Sequence, residues 1–389
     1  MSRKEKRKNS NKKMKIFIIV ILLIIIIAAG ILAYMVLFKN KGNDIISNAE
    51  ENNGIIEEVL NNNGVKIYSG NERPIAVMID NHKGAWPQAG LKKAYAIYEI
   101  IVEGGETRMM AVFKGQDVEK IGPVRSSRHY FLDYALENDA IYAHYGWSPK
   151  AESDIKTLGV NNINGITESD KDFWRIKQKS SPHNVLTSTT KIKEIAKNKN
   201  YKLTSTKESV LNYVTNEVEL SEGKAANKVT IPYSDLHTTS YVYDEASKTY
   251  TRYARGIKQT DFETNESITT KNIIITFVKN TDLNDGENKN RQNLSNIGTF
   301  KGYYITNGKA IEITCEKKDR KSQTIYKDLN GKEIEVNDGN TFFNICRCKC
   351  YNRVIKYKSV CAYKNKKCKS RCFLWFIPNF YKKINKNDI

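Results

Sequence analysis

A continuous apolar run near the N-terminus is the strongest hydrophobic signal in the chain. Residues 16–38 contain no charged side chain over 23 positions. At about 1.5 Å of rise per residue this run makes about 34 Å of helix, which is enough to cross roughly 30 Å of hydrocarbon. A cleaved signal peptide would have a shorter apolar region of about 7–15 residues. The run therefore predicts an uncleaved transmembrane helix.

The charges on either side of this run predict its orientation. Residues 1–15 carry eight Lys or Arg and one Glu, whereas only Lys39 and Lys41 follow the run closely. Because basic segments stay on the cytoplasmic side of a membrane, residues 1–15 are expected in the cytoplasm and the rest of the chain outside. Residues 39–71 are rich in Asn, Glu, Gly and Lys and are typical of a polar stalk. We predict a single-pass protein of the cell membrane with an extracytoplasmic body.

From residue 72 to residue 213, short apolar runs alternate with segments of helical spacing. The runs predict strands at residues 74–79, 100–102, 109–113 and 141–144. The helical spacing predicts helices at residues 88–98, 126–136, 149–158 and 188–197, with Ser148 as the N-cap of the third. The alternation of the two patterns is typical of a mixed α/β domain.

A different pattern begins near residue 227, after a linker at residues 214–226. Residues 241–243 and 250–253 alternate around a turn, and residues 272–278 are a β-branched run. Asn-Gly pairs at residues 307–308 and 330–331 each lie between alternating runs, which is the strongest short-range signal for a hairpin. We predict a mostly antiparallel β domain over residues 227–345, so that the fold class of the whole body is α+β.

Residues 346–389 form a basic tail that departs from the rest of the chain. All seven cysteines lie at or after Cys315, and six of them are in this tail. The C-x-C spacing without a nearby histidine does not favour a zinc site. A basic membrane-binding tail is one alternative. The interpretation we favour is translation in a shifted frame from near Ile345, which leaves the last β-strand in doubt and predicts no function for the tail.

The charge distribution excludes one broad class of function. The chain has a net charge of +20, but residues 1–15 contribute +7 and residues 344–389 contribute +12. The body between them is nearly neutral, so it lacks the basic surface of a nucleic-acid-binding domain. Nucleotide-binding glycine motifs and paired metal-ligand spacings are also missing from the sequence. We predict no nucleic-acid partner, no cofactor and no metal.

Several short motifs together resemble the YerB-like family of bacterial cell-envelope lipoproteins, which is built around a domain of unknown function. The motifs lie at residues 73–82, 87–91, 98–99, 102–108, 121–128, 144–148 and 182–184. The resemblance extends over about residues 72–343. It implies an extracytoplasmic role connected with wall synthesis or remodelling, and it supplies no reaction. The chain differs from the family in having a plain anchor where a lipid-modified cysteine is usual, and Cys315 where a tryptophan is expected.

These motifs also contain the side chains most suited to binding. The candidate ligand-binding residues are Asp80, Asn81, His82, Glu103, Arg108, Arg125, Ser126, Arg128, His144, Ser148, His183 and Asn184. Strand ends and loops carry most of them, where a scaffold positions functional groups. Arg125 and Arg128, placed at the start of a helix, are expected to hold an anion, with a histidine as acid or base.

A purely structural role is the alternative for each of these residues. Both arginines are equally suited to pairing with Glu99 or Glu103, and His183 to capping a turn. Residues 80–82 are also compatible with an ordinary polar turn after a strand. No residue is assigned to catalysis.

The function that the sequence favours is a binding or regulatory module of the cell envelope linked to peptidoglycan. Its expected partners are the membrane and, beyond it, peptidoglycan or the wall synthases. The alternative is an envelope hydrolase or transferase that acts on a phosphorylated or carboxylated wall precursor through Arg125, Arg128 and His144.

Overall fold

The computed structural model of the chain describes residues 65–350, except 288 and 349. Within that part no helix is long and apolar enough to span a membrane. The predicted transmembrane helix, the basic segment before it, most of the stalk and residues 351–389 lie outside the described residues. The end of the predicted stalk belongs to the body, because the backbone N–H groups of Lys66 and Ile67 both donate to the carboxylate of Asp338 at 2.9 Å.

The described chain is mostly β-structure with three short α-helices. The strands before residue 215 are β1 (Ile75–Asp80), β2 (Ala96–Ile101), β3 (Thr107–Phe113), β4 (Ile141–His144), β5 (Asn162–Asn164), β6 (Trp174–Arg175), β7 (Val185–Leu186) and β8 (Asn212–Val214). The later strands are β9 (Lys224–Ala225), β10 (Lys228–Pro232), β11 (Thr238–Asp244), β12 (Thr249–Ala254), β13 (Ile257–Lys258), β14 (Thr269–Thr270), β15 (Asn272–Asp282), β16 (Gln292–Ser295), β17 (Gly298–Thr306), β18 (Lys309–Lys317), β19 (Ile325–Lys327), β20 (Glu335–Asn337) and β21 (Thr341–Arg347). The α-helices are α1 (Phe131–Glu137), α2 (Pro149–Leu158) and α3 (Thr189–Asn198).

One large mixed sheet runs through both halves of the chain. Its order is β19-β18-β17-β15-β21-β2-β3-β1-β4-β5, with β16 and β9 paired to β15 and β18. Strands from both predicted domains therefore share hydrogen bonds. The last strand, β21, lies in the middle and runs parallel to β15 on one side and to β2 on the other.

The position of β21 corrects the expectation that the chain loses its final strand near Ile345. The strand continues to Arg347, with Ile345 opposite Ile100 and Cys346 opposite Phe277. Ile345 and Cys346 are each only 1% exposed. The thiol of Cys350 also lies 3.0 Å from the carbonyl oxygen of Pro232. Residues 345–348 and 350 are thus part of the folded body, and a chain ending at Asn344 would lose three of the seven residues of the central strand.

A second sheet packs on one face of the first. Strands β10, β11, β12 and β13 form it in that order, with β14 added to β12. Alternating residues of its strands, including Tyr241 and Tyr250, are buried in the same apolar core as Phe342 of β21. The rings of Tyr241 and Phe342 meet edge to face at 5.7 Å. The alternation seen in the sequence therefore marks one buried face of this sheet.

The local predictions succeed where a specific backbone signal supports them. Helix α2 begins after Ser148, whose hydroxyl accepts the N–H of Ala151, and the first Asn-Gly turn joins β17 to β18. The predicted helix at residues 88–98 is wrong, because only Leu91–Lys93 form a 3-10 turn and β2 follows. All six residues of β2 are buried, and a strand buried on both faces shows no alternation. The second Asn-Gly turn makes only a short hairpin, in which Lys327 and Glu333 form an antiparallel bridge and the N–H of Ile334 donates to the carbonyl of Tyr326. Beyond it, β20 pairs in parallel with β8 instead of extending the hairpin.

A buried ion pair joins the second sheet to the first. Glu99 of β2 and Arg252 of β12 are both 0% exposed, and an Nη2 of Arg252 donates to Glu99 at 2.9 Å. The Glu99 carboxylate also accepts hydrogen bonds from the hydroxyls of Thr107 and Thr239, at 2.9 and 2.8 Å, and lies 3.1 Å from Nε2 of His237. Burial opposes ionisation of Glu99, yet Arg252 and His237 hold the pKa of its carboxyl well below the usual range. We call these five residues the Glu99 cluster.

We predict that Glu99→Gln lowers the free energy of unfolding by about 3–5 kcal/mol, because it leaves the buried Arg252 without a counter-ion. Urea denaturation of the variant checks this value. The matched control is Glu266→Gln, which breaks an exposed pair with Lys92 and should change the free energy of unfolding far less, because solvent screens this pair. Adding Arg252→Met to Glu99→Gln should restore part of the stability. Equal costs for the two single variants would contradict this role of the Glu99 cluster.

Candidate functional site

The site is built around one carboxylate at the end of β1. Asp80 is 3% exposed. Its Oδ2 accepts a hydrogen bond of 2.7 Å from Nδ1 of His183 and lies 3.1 Å from Nε of Arg125. Its Oδ1 accepts the backbone N–H of His82 at 3.0 Å. A single acidic side chain thus fixes three segments that are far apart in the sequence.

The segment 121–125 explains how these residues meet. It lies between the end of β1 and β7, with the backbone N–H of Val124 donating to the carbonyl of Val185 and the N–H of Arg125 to that of Met78. Gly122 has φ +143°, and a Cβ there would lie 2.7 Å from the carbonyl oxygen of Val185. Only glycine permits so close an approach. The close packing brings Arg125 beside Asp80, and it places both arginines before helix α1 rather than in its first turn as expected.

His82 and His183 form a stacked pair with different hydrogen-bonding faces. Their ring centroids are 4.4 Å apart and their planes differ by 12°. Nδ1 of His183 donates to Asp80, so Nε2 of a neutral His183 ring is an acceptor. Nδ1 of His82 accepts the N–H of Gly84 at 3.0 Å, so Nε2 of a neutral His82 ring is a donor. Within the described chain neither Nε2 atom has a hydrogen-bond partner.

Three guanidinium groups, which we call the arginine cluster, lie around the carboxylates of Asp80 and Glu103: Arg108, Arg125 and Arg128. Arg108 is opposite Asp80 in the β1–β3 ladder and donates to the carbonyl of Ser126 at 2.6 Å. Nε of Arg128 donates to Glu103 at 2.5 Å. Burial, followed by the charges of Arg128 and Arg125, lowers the pKa of Arg108 to about 10. Three positive charges are therefore close together and share two carboxylates.

Glu103 and Asp80 only partly neutralise the arginine cluster. Burial opposes ionisation of Glu103, but Arg128 and Arg108 hold the pKa of its carboxyl below the usual value. Arg291 also lies 3.7 Å from Glu103, although Asp285 and Glu287 pair with Arg291 themselves. The three arginines carry one more charge than the two carboxylates neutralise. This excess positive charge favours the binding of an anion.

Arg125 is the member of the arginine cluster with the most unused donors. Its side chain is 25% exposed, and its Nε, although 3.1 Å from Asp80, is not aligned for a hydrogen bond. Its two Nη atoms form no hydrogen bond with the residues that the structure describes. A guanidinium in this state can hold a carboxylate or phosphate through two parallel hydrogen bonds.

His144 does not join this site, which corrects its place among the candidates for anion binding. It is 0% exposed, with Nδ1 2.8 Å from the carbonyl of Gly146 and Nε2 3.3 Å from the amide oxygen of Asn162. Burial lowers the pKa of its imidazole to about 4. Both neighbours are acceptors, so the neutral ring donates to only one of them, and His144 is a buried side chain of the core. The Ser148 hydroxyl is likewise already hydrogen-bonded, because it is the N-cap of α2.

The remaining candidates support the site from its margins. Ser126 donates to the carbonyl of Tyr145 at 3.0 Å, and the Asn184 amide oxygen accepts from Arg175 at 2.7 Å. Asn81 donates to Glu99 at 3.1 Å, and its amide oxygen accepts from the indole N–H of Trp86 at 3.1 Å. Asn81 thus links Asp80, its neighbour in the chain, to the Glu99 cluster.

Sequence reasoning missed the contribution of the second sheet to this region. Arg252 and His237 lie more than 130 residues from Glu99 in the chain, and no motif spacing connects them. One signal was available in the strand at residues 249–254, where Tyr250 and Arg252 share a face. A charge on the buried face of an alternating strand indicates a buried partner.

A cavity of about 580 Å³ lies away from these residues, lined in part by Asn227, Tyr243 and Lys309. Across residues 65–350 no group of three or more His, Cys, Asp or Glu side chains is arranged to hold a metal ion. The arginine cluster and the histidine pair, and not a cavity or a metal site, are therefore the features that identify this region as the candidate site.

Comparison with known proteins assigns the chain to a family. Residues 63–202 match the N-terminal domain of the protein of unknown function DUF3048, and residues 229–343 match its C-terminal domain. A Bacillus subtilis (strain 168) protein named "Putative lipoprotein YerB" is 34% identical over 273 residues, which cover 69% of this chain and 76% of that protein. The crystal structure of YerB from Bacillus subtilis is similar with a TM-score of 0.63 at 31% identity, covering 71% of this chain and 91% of that one. The chain belongs to the DUF3048 family, in agreement with the resemblance seen in its motifs.

Proposed function

We propose that this protein is a binding or regulatory module of the cell envelope, whose arginine cluster takes up an anionic group of a wall component. The observation that carries the proposal is Arg125, which presents unused guanidinium donors beside two further arginines. A carboxylate or a phosphate has the geometry to accept from such donors. Peptidoglycan offers carboxylates on its peptides, and the anionic polymers attached to many walls offer phosphates.

The location that we propose rests on two independent observations. Residues 16–38 are apolar and follow eight basic residues, so they are suited to anchor the chain with its body outside. The related Bacillus subtilis protein is named a lipoprotein, which is also an envelope protein held at a membrane. A body anchored in this way lies within reach of the wall and of the enzymes that build it.

Arg125→Lys tests the binding role directly. Lysine keeps the positive charge but loses the two parallel donors, at a cost of about 1.5–3 kcal/mol for each charge-assisted hydrogen bond. We expect about tenfold less of the variant than of the unaltered chain to sediment with purified walls. Walls that keep their phosphate polymers, compared with walls stripped of them, show whether phosphate or carboxylate is recognised.

The matched control for this experiment is Arg73→Lys. Arg73 pairs with Asp139 at 2.9 Å at the entry to β1, away from the arginine cluster. It should lower the melting temperature and leave the affinity for walls unchanged. If Arg125→Lys lowers only the melting temperature and keeps full affinity, the arginines are structural and the binding proposal fails.

The anchor is tested on intact cells whose wall has been removed. We expect added protease to degrade the protein after about residue 40, because the body is exposed outside the membrane. Residues 1–15 should stay protected. Protection of the body, or a mature N-terminus within the apolar run, would contradict the proposed topology.

A further inference from the structure

The histidine pair gives the proposed binding site a chemical capacity that binding alone does not use. The Asp80 carboxylate holds Nδ1–H of His183 at 2.7 Å, which leaves Nε2 without a partner among the described residues. The His183 side chain is 19% exposed. A carboxylate that orients an imidazole in this way is the arrangement of a general base. A loop histidine that only joined two segments would not need its second nitrogen to be open.

We propose that the site hydrolyses a phosphate ester, with His183 as the general base. This inference rests on the proposed function, because the arginine cluster must first hold the phosphate. Phosphate is the favoured class since phosphoryl transfer depends mainly on positioning and on positive charge around the phosphoryl oxygens. Arg125 lies 3.1 Å from the same Asp80 oxygen that holds His183, so a guanidinium with unused donors is next to the open imidazole.

The reaction needs only water as co-reactant. Nε2 of His183 takes a proton from a water molecule, whose oxygen forms a bond to phosphorus. The ester bond between phosphorus and the leaving oxygen breaks with its electron pair. The imidazolium of His183 then returns the proton to the leaving alkoxide, so the products are an alcohol and phosphate. Asp80 stays ionised throughout and stabilises the imidazolium.

His82 has a different part in this scheme. Because its Nδ1 accepts the N–H of Gly84, the neutral ring presents Nε2–H as a donor. A neutral imidazole is too weak an acid to protonate the leaving group, so His82 is a hydrogen-bond donor to a phosphoryl oxygen. The stack at 4.4 Å places this donor next to the base. Donors placed where charge develops are a main source of rate acceleration.

The test uses the full chain in detergent, with 4-nitrophenyl phosphate and bis(4-nitrophenyl) phosphate as probes. We expect the unaltered chain to release 4-nitrophenolate, and His183→Asn to lower kcat by about 10²- to 10⁴-fold. The asparagine amide can still donate to Asp80, so the loop stays tied while the base is lost. Affinity for inorganic phosphate should stay within a few-fold, which separates the chemical step from binding.

Gly84→Ala is the second variant, for the case in which His183→Asn does not fold. A Cβ at Gly84 would lie 3.0 Å from Cδ2 of His183 and 3.3 Å from Nδ1 of His82, so both rings must shift by a few tenths of an ångström while both histidines are kept. We expect it also to lower kcat more than phosphate affinity. Lys120→Ala, which removes an exposed partner of Glu263, should leave turnover unchanged.

Two results would overturn the inference. One is that the unaltered chain binds inorganic phosphate but hydrolyses neither ester. The other is that turnover persists unchanged in His183→Asn and Gly84→Ala. Both would leave the binding proposal intact, whereas failure of the unaltered chain to bind either walls or phosphate would remove that proposal as well.

Discussion

The ion pair between Glu99 and Arg252 is the interaction on which the rest of the structure depends. Both side chains are 0% exposed, and each would be costly to bury without the other. Glu99 lies in the large sheet and Arg252 in the smaller one, so the two sheets must pack together for either charge to be satisfied. Asn81 then connects Glu99 to the end of β1, where Asp80 organises the candidate site. The buried pair and the surface site are therefore parts of one polar network.

Asp80 connects this network to the side chains of the candidate site. Its two carboxylate oxygens fix His183, Arg125 and the backbone of His82, which come from three different segments. Nε2 of His183 and the two Nη atoms of Arg125 have no hydrogen-bond partner among the described residues.

Much of the fold could be predicted from the sequence, since β1, β4, α2 and the first Asn-Gly hairpin each depend on local residues. The helix predicted at residues 88–98 failed because a strand buried on both faces has no alternation to reveal it. The composition of the tail could not show that the last strand continues to Arg347, because Cys346 and Arg347 belong to the strand through their pairing with β15. At the site, the motifs contained Asp80, Arg125 and His183, but burial excluded His144. The charge of Arg252 on the buried face of β12 indicated a buried partner, but nothing in the sequence identified Glu99 as that partner.

The arginine cluster and His183 are proposed to bind one tetrahedral oxyanion together. Diffraction from crystals of the protein grown with tungstate tests this proposal, because tungsten is located by its anomalous scattering. We expect a tungstate ion within hydrogen-bond distance of a guanidinium nitrogen of Arg125 and of Nε2 of His183, and no such ion in crystals of Arg125→Lys. Tungstate bound only at other surfaces, with Arg125 still resting on Asp80 alone, would contradict it.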